Sequence, residues 1–383
     1  MGTMPAHVLL LFGQRYNPAI HRGVALHAGR ARWHLSMLIH QDGRALMGLS
    51  KVQGVVLADR FGEAVIDSIL ATGLPVVNLS SNPEVFPGAW VTADNRAIGG
   101  MAAEYLLARQ YRNFAYFGEQ ASVASRERHE AFRAALRRHG ADCRLIESAP
   151  RRAAAALDWD ADLRRLQRRL ADLPAPSAVF CFNDAHAGRF LDAALQMGRR
   201  VPEEVAILGV DDDPLLCETM AVPLSSVRHP LEEAGTRGAE VLDAVMAGRA
   251  KRSTTILLAP KGVSTRRSTD HFAVSHPTLQ AVLLHLDRHH HRALSLGDVA
   301  KAAGVSPRTV QLLLQTELRS SVTEELQKRR MAHARRLLAA PSPAIADVAA
   351  LAGFASASYF HHAFKRATGQ TPRDYRQACL RKG

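Results

Sequence analysis

The chain has 383 residues, 47% of them hydrophobic and 22% charged, which predicts two or three folded domains and excludes an intrinsically disordered protein. The net charge is +13, and residues 280–383 hold 16 Lys or Arg against 7 Asp or Glu, as a phosphate-binding segment requires. No apolar run approaches the ~18 residues of a membrane span, and the 4 scattered cysteines lack the spacing of a disulfide framework or zinc site. The apolar run near the N-terminus is interpreted as a strand rather than a signal peptide, so we expect a cytoplasmic protein with reduced thiols.

Short apolar runs alternate with amphipathic segments from residue 7 to about residue 250. This alternation predicts an α/β fold with parallel sheets and helices on both faces, and the length is sufficient for two lobes. Strands are predicted over 8–12, 54–58, 75–79, 114–117, 178–182, 205–210 and 254–259, and helices over 19–29, 63–71, 95–110, 127–139, 185–197 and 231–247.

Polar side chains follow three of these strands. Arg128 comes after the strand at 114–117, Asn183 and Asp184 follow the strand at 178–182, and Asp211 follows the strand at 205–210. In this architecture ligands bind outside the carboxyl ends of the strands. Carboxylates accept from vicinal hydroxyls and a guanidinium donates to several oxygens, so the set suits a polyhydroxylated ligand. For Asp184 and the nearby Asp212, capping of the following helix is an equally good interpretation.

The segments GVDDDP, PLSSVRHP and RHEAF resemble the ligand-binding core of the lac/galactose-repressor class and of periplasmic sugar-binding proteins. The resemblance implies that Arg128, Asn183 and Asp211 contact a sugar and that His229 is a further side-chain contact. The sequence has Ser80-Ser81 where ribose-binding relatives have Asp-Arg, which leaves the identity and pose of the sugar open.

Two basic segments are interpreted as solvated surface. Residues 151–169 are arginine-rich with helical spacing, and His289, His290 and His291 are consecutive at the end of a predicted helix. Consecutive helical side chains point in different directions and do not converge on a metal, so we expect neither a metal site nor a cofactor. We expect a core over 1–260, a polar connector over 261–279 and a DNA-binding domain over 280–383.

The segment 298–304, DVAKAAG, recurs as DVAALAG at 347–353, an offset of 49 residues. In each copy a short helix ends at a glycine, and Ser306 or Ser356 can cap a second helix. This pattern is a helix-turn-helix, predicted over 296–318 and again over 345–367. The intervening helix, over 323–339, spans about 25 Å. The two second helices can therefore enter successive major-groove faces, which lie about 34 Å apart.

The outward faces of the two second helices are the predicted DNA contacts. Arg308 can make a bidentate contact with guanine, and Gln311 with adenine. Lys365 and Arg366 lie one turn further along and suit phosphate contacts, which position a protein without specifying sequence. The full predicted set is Arg308, Thr309, Gln311, Leu312, Ser356, Ser358, His361, His362, Lys365 and Arg366.

The motifs DVAKAAGVSPRTV, AGFASASYF, HHAFKRATG and TPRDYR resemble the DNA-binding domain of AraC/XylS-type transcription regulators. A repressor-type core placed before such a domain occurs in regulators of pentose operons, and the segments LLFGQRYNP and GVVLADRF fit that arrangement. The resemblance implies a two-lobed periplasmic-binding-protein-like core followed by an all-α domain with two helix-turn-helix motifs. It also makes Tyr16, Asn17 and Asp59 candidates for the pocket wall, although helix capping and loop structure explain them equally well.

The predicted function is a sugar-responsive DNA-binding transcription regulator. The resemblance implies a pentose such as xylose as the effector, a homodimer, contact with RNA polymerase and activation of sugar-catabolic genes. One alternative is a regulator with a different effector or with a core that serves only in dimerisation. A sugar-acting enzyme is the other, but the sequence has no P-loop, no G-x-G-x-x-G after the first strand and no nucleophile elbow.

Overall fold

The computed structural model describes residues 5–13, 15–40, 46, 48–80, 86–148, 159–339 and 342–382. In these ranges the strands are β1 (His7–Phe12), β2 (His34–Ile39), β3 (Gly54–Leu57), β4 (Val76–Asn78), β5 (Ala89–Ala93), β6 (Asn113–Gly118), β7 (Cys143–Glu147), β8 (Ser177–Cys181), β9 (Val205–Val210), β10 (Ser225–Val227), β11 (Thr255–Leu258) and β12 (Val263–Ser264). The helices are α1 (Pro18–Ala31), α2 (Glu63–Leu70), α3 (Asn95–Ala108), α4 (Val123–Arg137), α5 (Trp159–Ala171), α6 (Asp184–Gln196), α7 (Pro214–Thr219), α8 (Leu231–Met246), α9 (Pro277–His289), α10 (Leu296–Ala302), α11 (Pro307–Leu318), α12 (Val322–Leu338), α13 (Ile345–Leu351), α14 (Ala357–Thr368) and α15 (Pro372–Lys382).

Two sheets of 6 strands form the two lobes of the core. The first has the strand order β11-β5-β4-β3-β1-β2, and the second has the order β12-β10-β9-β8-β6-β7. The pairing of β10 with β12 is antiparallel and the others are parallel. The chain passes between the lobes after β5, after β10 and after β11. In this architecture the ligand cleft is expected between the lobes, at the carboxyl ends of the strands.

The central strands are buried on both faces because their residues are predominantly apolar and helices cover both sides. Every residue of β3, β8 and β9 is buried. Helix α3 packs closely against α4, and α1 against α8, because each crossing point has a glycine. A Cβ at Gly99 of α3 would lie 2.3 Å from the carbonyl oxygen of Arg128 in α4, and a Cβ at Gly23 of α1 would lie 2.0 Å from that of Glu232 in α8. Only glycine fits at these two positions.

The C-terminal domain contains helices α9 to α15, which form two apolar clusters. Val310 lies in the first cluster and Phe360 in the second. The long helix α12 contributes to both, with Leu326 in the first and Leu338 in the second. One continuous helix therefore fixes the position of the first helix-turn-helix relative to the second.

The predicted capping residues begin these helices. The Ser306 hydroxyl accepts from the backbone N–H of Thr309 at 3.1 Å, and the Ser356 hydroxyl accepts from that of Tyr359 at 3.2 Å. Gly369 ends α14 with a φ of 74°, in the left-handed region that glycine adopts without strain. Helices α10 and α11 lie in the first predicted segment and α13 and α14 in the second, apart from Thr368 at the end of α14. The predicted all-α domain with two helix-turn-helix motifs is confirmed.

Five strands and one short helix were not predicted, namely β2, β5, β7, β10, β12 and α7. Two of these strands lack the long apolar run of a central strand. The edge strand β7 buries Ile146 alone among its residues, and β10 has 3 residues.

Two predicted boundaries differ from the structure, and a third lies partly outside the described residues. The helix predicted over 127–139 begins at Val123, because the Ser122 side chain caps it. The basic helix predicted over 151–169 is described from Trp159 onwards, and residues 151–158 lie outside the described part of the chain. The predicted connector over 261–279 is partly built into the core, since β12 joins the second sheet and both Ser268 and Phe272 are buried. None of the described helices is long and apolar enough to cross a bilayer.

The Gly99 crossing gives the first testable prediction. Gly99→Ala should lower the free energy of unfolding by about 1–3 kcal/mol, because its methyl group would overlap the α4 backbone. Gly100→Ala is the matched control, since a Cβ there meets nothing within 4 Å. That variant should gain up to about 1 kcal/mol from the helix propensity of alanine. Urea unfolding of both variants checks the prediction, and equal effects would contradict the close packing of α3 against α4.

Candidate ligand cleft and nucleic-acid interface

Arg128 is the buried cation of the cleft, with 3% of its surface exposed. Its Nε donates to Asn95 Oδ1 at 2.9 Å, and its Nη1 donates to the carbonyl oxygen of Phe182 at 2.6 Å. The guanidinium also lies 5.1 Å from the centre of the Phe182 ring. Burial lowers the pKa of Arg128, and the negative charge of Asp211 is the largest influence that opposes this shift. The structure thus brings together Arg128 and Asp211, two residues predicted to contact ligand.

Asp211 lies in a tight turn at the end of β9, where it and Asp212 have φ values of 115° and 57°. The Asp212 carboxylate accepts from Ser264 Oγ and from Arg266 Nη1, both at 2.7 Å. These bonds hold the turn in its left-handed conformation. The His229 Nδ1 lies 3.0 Å from Asp211 Oδ1, and the Asp211 side chain remains 33% exposed. The Asp211 carboxylate is therefore partly accessible, whereas the His229 ring is 10% exposed.

Asp184 lies behind the cleft wall, with 1% of its surface exposed. Its carboxylate accepts from Ser226 Oγ at 2.6 Å, from the backbone N–H of Asp213 at 2.9 Å and from Cys217 Sγ at 3.4 Å. Burial, with a further contribution from Asp211, raises the pKa of Asp184 to about 8. Its carboxylate therefore supports the turn that carries Asp211, which favours the structural interpretation of Asp184 over a ligand contact.

Asn183 caps α6 and is also buried. Its Oδ1 accepts from the backbone N–H of His186 at 2.9 Å and lies 2.7 Å from the ring Nδ1 of the same residue. Asn183 therefore orients His186, a residue that the sequence analysis did not select. The His186 ring Nε2 in turn lies 3.2 Å from Glu119 Oε1, and the Glu119–His186 pair was missed as well.

The candidates of the first lobe have local partners. Asn17 Oδ1 accepts from the backbone N–H of Ile20 at 3.0 Å and so caps α1. Asp59 accepts from the backbone N–H groups of Arg15 and Arg60 at 2.9 and 2.7 Å. These bonds favour the capping and loop interpretation for both residues.

Tyr16 remains accessible, with 46% of its surface exposed. Its hydroxyl lies 2.8 Å from His21 Nδ1, and its ring packs edge-on against Phe12. Ser80 donates its backbone N–H to Asn78 Oδ1 at 2.9 Å, whereas Ser81 lies outside the described residues. Tyr16 is thus exposed, whereas Asn17 and Asp59, the other two predicted residues of the first lobe, are half-buried.

The outward faces of α11 and α14 carry the predicted DNA-contacting residues. Val310, Leu313 and Leu314 are buried, whereas Arg308, Gln311 and Leu312 are exposed. On α14, Phe360, Ala363 and Phe364 are the buried counterparts, and Ser358, His361, His362, Lys365 and Arg366 are exposed. The exposed cations of this face suit contacts with phosphates. Thr309 is half-buried and Ser356 serves as the α14 cap.

We call α11 and α14, the second helices of the two motifs, the reading helices. The sequence offset between them differs from the offset between the helices that precede them, α10 and α13. The buried residue Val310 corresponds to Phe360, an offset of 50 rather than 49, because the second copy has the extra residue Ala355 in its turn. Thr309 then corresponds to Tyr359, whose ring is 50% exposed on the outer face. Tyr359 was missed as a candidate DNA contact. The sequence signal for it is the distance between the two serine caps, Ser306 and Ser356, which are 50 residues apart rather than 49.

The DNA-binding domain is joined to the second lobe by a buried cluster. The Arg109 Nη2 atom lies 3.2 Å from Asp287 Oδ2 of α9, and the guanidinium lies 4.3 Å from the ring centre of Tyr105. Phe272 is between two cations, with the guanidinium groups of Arg109 and Arg329 at 5.3 and 5.4 Å from its ring centre. Burial opposes the Arg109 charge, but Tyr105 and Asp287 together raise the pKa of Arg109.

Known proteins share this arrangement. Residues 103–269 match the family model of a periplasmic binding protein-like domain, and residues 299–378 match that of a helix-turn-helix domain. The xylose operon regulatory protein of Escherichia coli strain K12 is 26% identical over 98% of each chain, and that of Haemophilus influenzae is 25% identical over 85% of each. A solved structure of a xylose-binding transcription activator covers 99% of both chains with a TM-score of 0.62 and 22% identity.

The chain therefore carries a periplasmic-binding-protein-like segment followed by a helix-turn-helix domain, in the order that the sequence predicted. It resembles the xylose operon regulators over nearly its whole length. These relatives are transcription regulators rather than enzymes, in agreement with the expectation from the sequence.

The raised pKa of Asp184 predicts how the free energy of unfolding changes with pH. With a folded-state pKa of about 8 against an ordinary value of 3.8, the folded chain keeps a proton that the unfolded chain releases. The free energy of unfolding should therefore fall as pH rises between these values. Asp184→Asn cannot titrate and should flatten this part of the profile, whereas Asp172→Asn on the exposed surface should leave it unchanged. Urea unfolding at several pH values checks this, and an unchanged slope for Asp184→Asn would contradict the raised pKa.

Proposed function

We propose that this protein is a transcription regulator whose DNA binding responds to a small neutral sugar, with xylose as the first candidate. The observation that carries the proposal is the buried Arg128 beside the Asp211–His229 pair, at the carboxyl ends of the strands of the second lobe. A guanidinium donor near an accessible carboxylate suits a ligand whose hydroxyls both donate and accept. The relatives named for xylose support this choice of sugar.

The C-terminal domain is proposed to bind double-stranded DNA through α11 and α14. We propose that the protein acts as a homodimer that contacts RNA polymerase and activates sugar-catabolic genes, in the cytoplasm where such DNA is reached. The core would extend to about residue 272, since Phe272 is buried at the junction, and the DNA-binding domain would begin with α9. This division modifies the connector expected over 261–279.

The sugar would act through α3. This helix begins at Asn95, which binds Arg128, and its end carries Arg109, which binds Asp287 of the DNA-binding domain. A sugar that favours one arrangement of the lobes would thereby favour one placement of the DNA-binding domain. Such a shift requires different sugar affinities in the two arrangements.

A thermal-shift screen of pentoses and hexoses tests the proposal directly. A sugar that binds only the folded protein should stabilise it by about 2.7 kcal/mol at 100 times its dissociation constant. The alternative of a core that serves only in dimerisation predicts no stabilisation by any sugar. A different effector class would be indicated if other small molecules stabilise the protein and sugars do not.

Asp211→Ala should weaken sugar binding by roughly 1–3 kcal/mol, because ligand hydroxyls would lose their acceptor in a desolvated site. Isothermal calorimetry with the stabilising sugar measures this. The control is Asp172→Ala, which removes a surface carboxylate of the same lobe whose side chain is 58% exposed. DNA binding without sugar should be the same for both variants. An unaltered affinity in Asp211→Ala would rule out the role given to this carboxylate.

The two reading helices give a prediction on DNA specificity. Arg308→Ala should cost about 1–3 kcal/mol and relax the preference at one operator base pair. Lys365→Ala should weaken binding to all sequences and reduce the salt slope by roughly one unit, as expected for a phosphate contact. Titrations against the operator and its single-base variants at two salt concentrations separate these effects. A uniform loss in Arg308→Ala would show that this arginine contacts phosphate instead.

A further inference from the structure

The Glu119–His186 pair lies in the same wall of the cleft as Arg128. Glu119 follows β6 and His186 lies in the first turn of α6, with side chains that are 19% and 5% exposed. The His186 ring packs edge-on against Phe117 and Phe182, with centroids 5.6 and 5.3 Å away. Phe182 also contacts the guanidinium of Arg128. Two histidine–carboxylate pairs therefore accompany one buried arginine, since Asp211–His229 is the other.

Hydrogen bonding to Asn183 determines which nitrogen of His186 carries a hydrogen. Asn183 Oδ1 accepts from the backbone N–H of His186, so this amide is oriented with its oxygen towards the ring. The ring Nδ1, 2.7 Å from the same oxygen, must then be a donor. In a neutral ring the remaining nitrogen, Nε2, is an acceptor.

The contact between His186 and Glu119 is consequently one between two acceptors whenever the ring is neutral. Burial is the main cause that lowers the pKa of His186, and the charges of Arg189 and Arg15 act in the same direction, whereas Glu119 opposes them. The buried Nε2 of His186, 3.2 Å from Glu119 Oε1, has no hydrogen-bond partner among the described residues and would gain from an O–H donor bound beside the pair. Arg15, a residue of the first lobe, is thus among the charges that act on His186.

We propose that Glu119 and His186 form a second hydroxyl-binding point of the effector cleft, additional to Asp211 and His229. The inference rests on the proposed function, in which the cleft binds a sugar. It also specifies the ligand class. With one buried guanidinium and two carboxylates along the wall, a sugar acid or sugar phosphate would meet two negative groups. A neutral polyol with hydroxyls on opposite sides of its ring matches both pairs.

The test compares calorimetric affinities for D-xylose and for each of its monodeoxy analogues. Glu119→Gln keeps the size of the side chain, and its amide can donate to His186 Nε2, so the fold should be retained while the charged acceptor is lost. The control Glu130→Gln makes the same change on the exposed face of α4, where Glu130 lies 3.8 Å from Arg96. Thermal unfolding without sugar checks that all variants are folded.

We expect Glu119→Gln to bind D-xylose roughly 10- to 100-fold more weakly, the effect of losing a hydrogen bond to a charged group. One monodeoxy analogue should bind the native protein more weakly than D-xylose by a similar factor. Glu119→Gln should bind that analogue and D-xylose with nearly equal affinity, because both changes remove the same contact. His186→Gln is the second variant if Glu119→Gln does not fold. It should bind the same analogue and D-xylose with nearly equal affinity. The Glu130→Gln control should match the native protein for every sugar.

Two outcomes overturn the proposal in distinguishable ways. If the native protein binds D-xylose and Asp211→Ala weakens that binding, but Glu119→Gln matches the native protein or weakens every analogue by one factor, the second binding point does not exist. If the native protein binds neither D-xylose nor any analogue, the proposed xylose response fails together with this inference.

Discussion

The ion pair between the buried Arg109 and the partly exposed Asp287 is the contact on which the arrangement of the two domains depends. The Arg109 side chain is 4% exposed and its Nη2 lies 3.2 Å from the carboxylate. Removing Asp287 would leave the charge of this buried guanidinium without its carboxylate partner, which destabilises the junction. Asp287 also lies 3.7 Å from Nε of Arg329, and Arg329 pairs with the buried Glu325. Separation of the domains would expose Phe272 and divide this group of charges, so the second lobe and the DNA-binding domain are expected to move together.

The same helix that supplies Arg109 also supports the candidate ligand site. Asn95 is the first residue of α3 and holds Arg128, and Arg109 caps the other end of the helix. A helix of 14 residues is about 20 Å long and transmits displacement with little bending. Asp94, immediately before α3, is also the point where the chain crosses between the lobes. Any rotation of one lobe relative to the other therefore occurs next to the ligand wall and is carried to the domain junction.

Much of this organisation could be predicted from the sequence, because helical periodicity, serine caps and strand-end polar groups are local signals. The repeated DVAKAAG pattern located both helix-turn-helix motifs, and Asp211 was selected as a polar residue after a buried strand. The Glu119–His186 pair has no such local signal. It forms because β6 and β8 are neighbours in the sheet although β7 and α5 intervene in the chain. The support role of Asp184 also depends on distant residues, since Ser226 and Cys217 reach it from other elements.

The internal rigidity of the DNA-binding domain determines where control can act. Helix α12 belongs to both apolar clusters, and the turn after α9 locks the second helix-turn-helix against it. Arg330 Nε of α12 donates to the carbonyl oxygen of His290 at 2.8 Å, and a Cβ at Gly353 would lie 2.5 Å from that same oxygen. The spacing of α11 and α14 is thus set by contacts within the domain. An effector that altered this spacing would have to break packed cores, whereas a change in the junction around Arg109 moves both reading helices as one unit. Ligand binding in the cleft is therefore expected to change the placement of whole DNA-binding domains. The spacing of the two reading helices within each domain should stay the same.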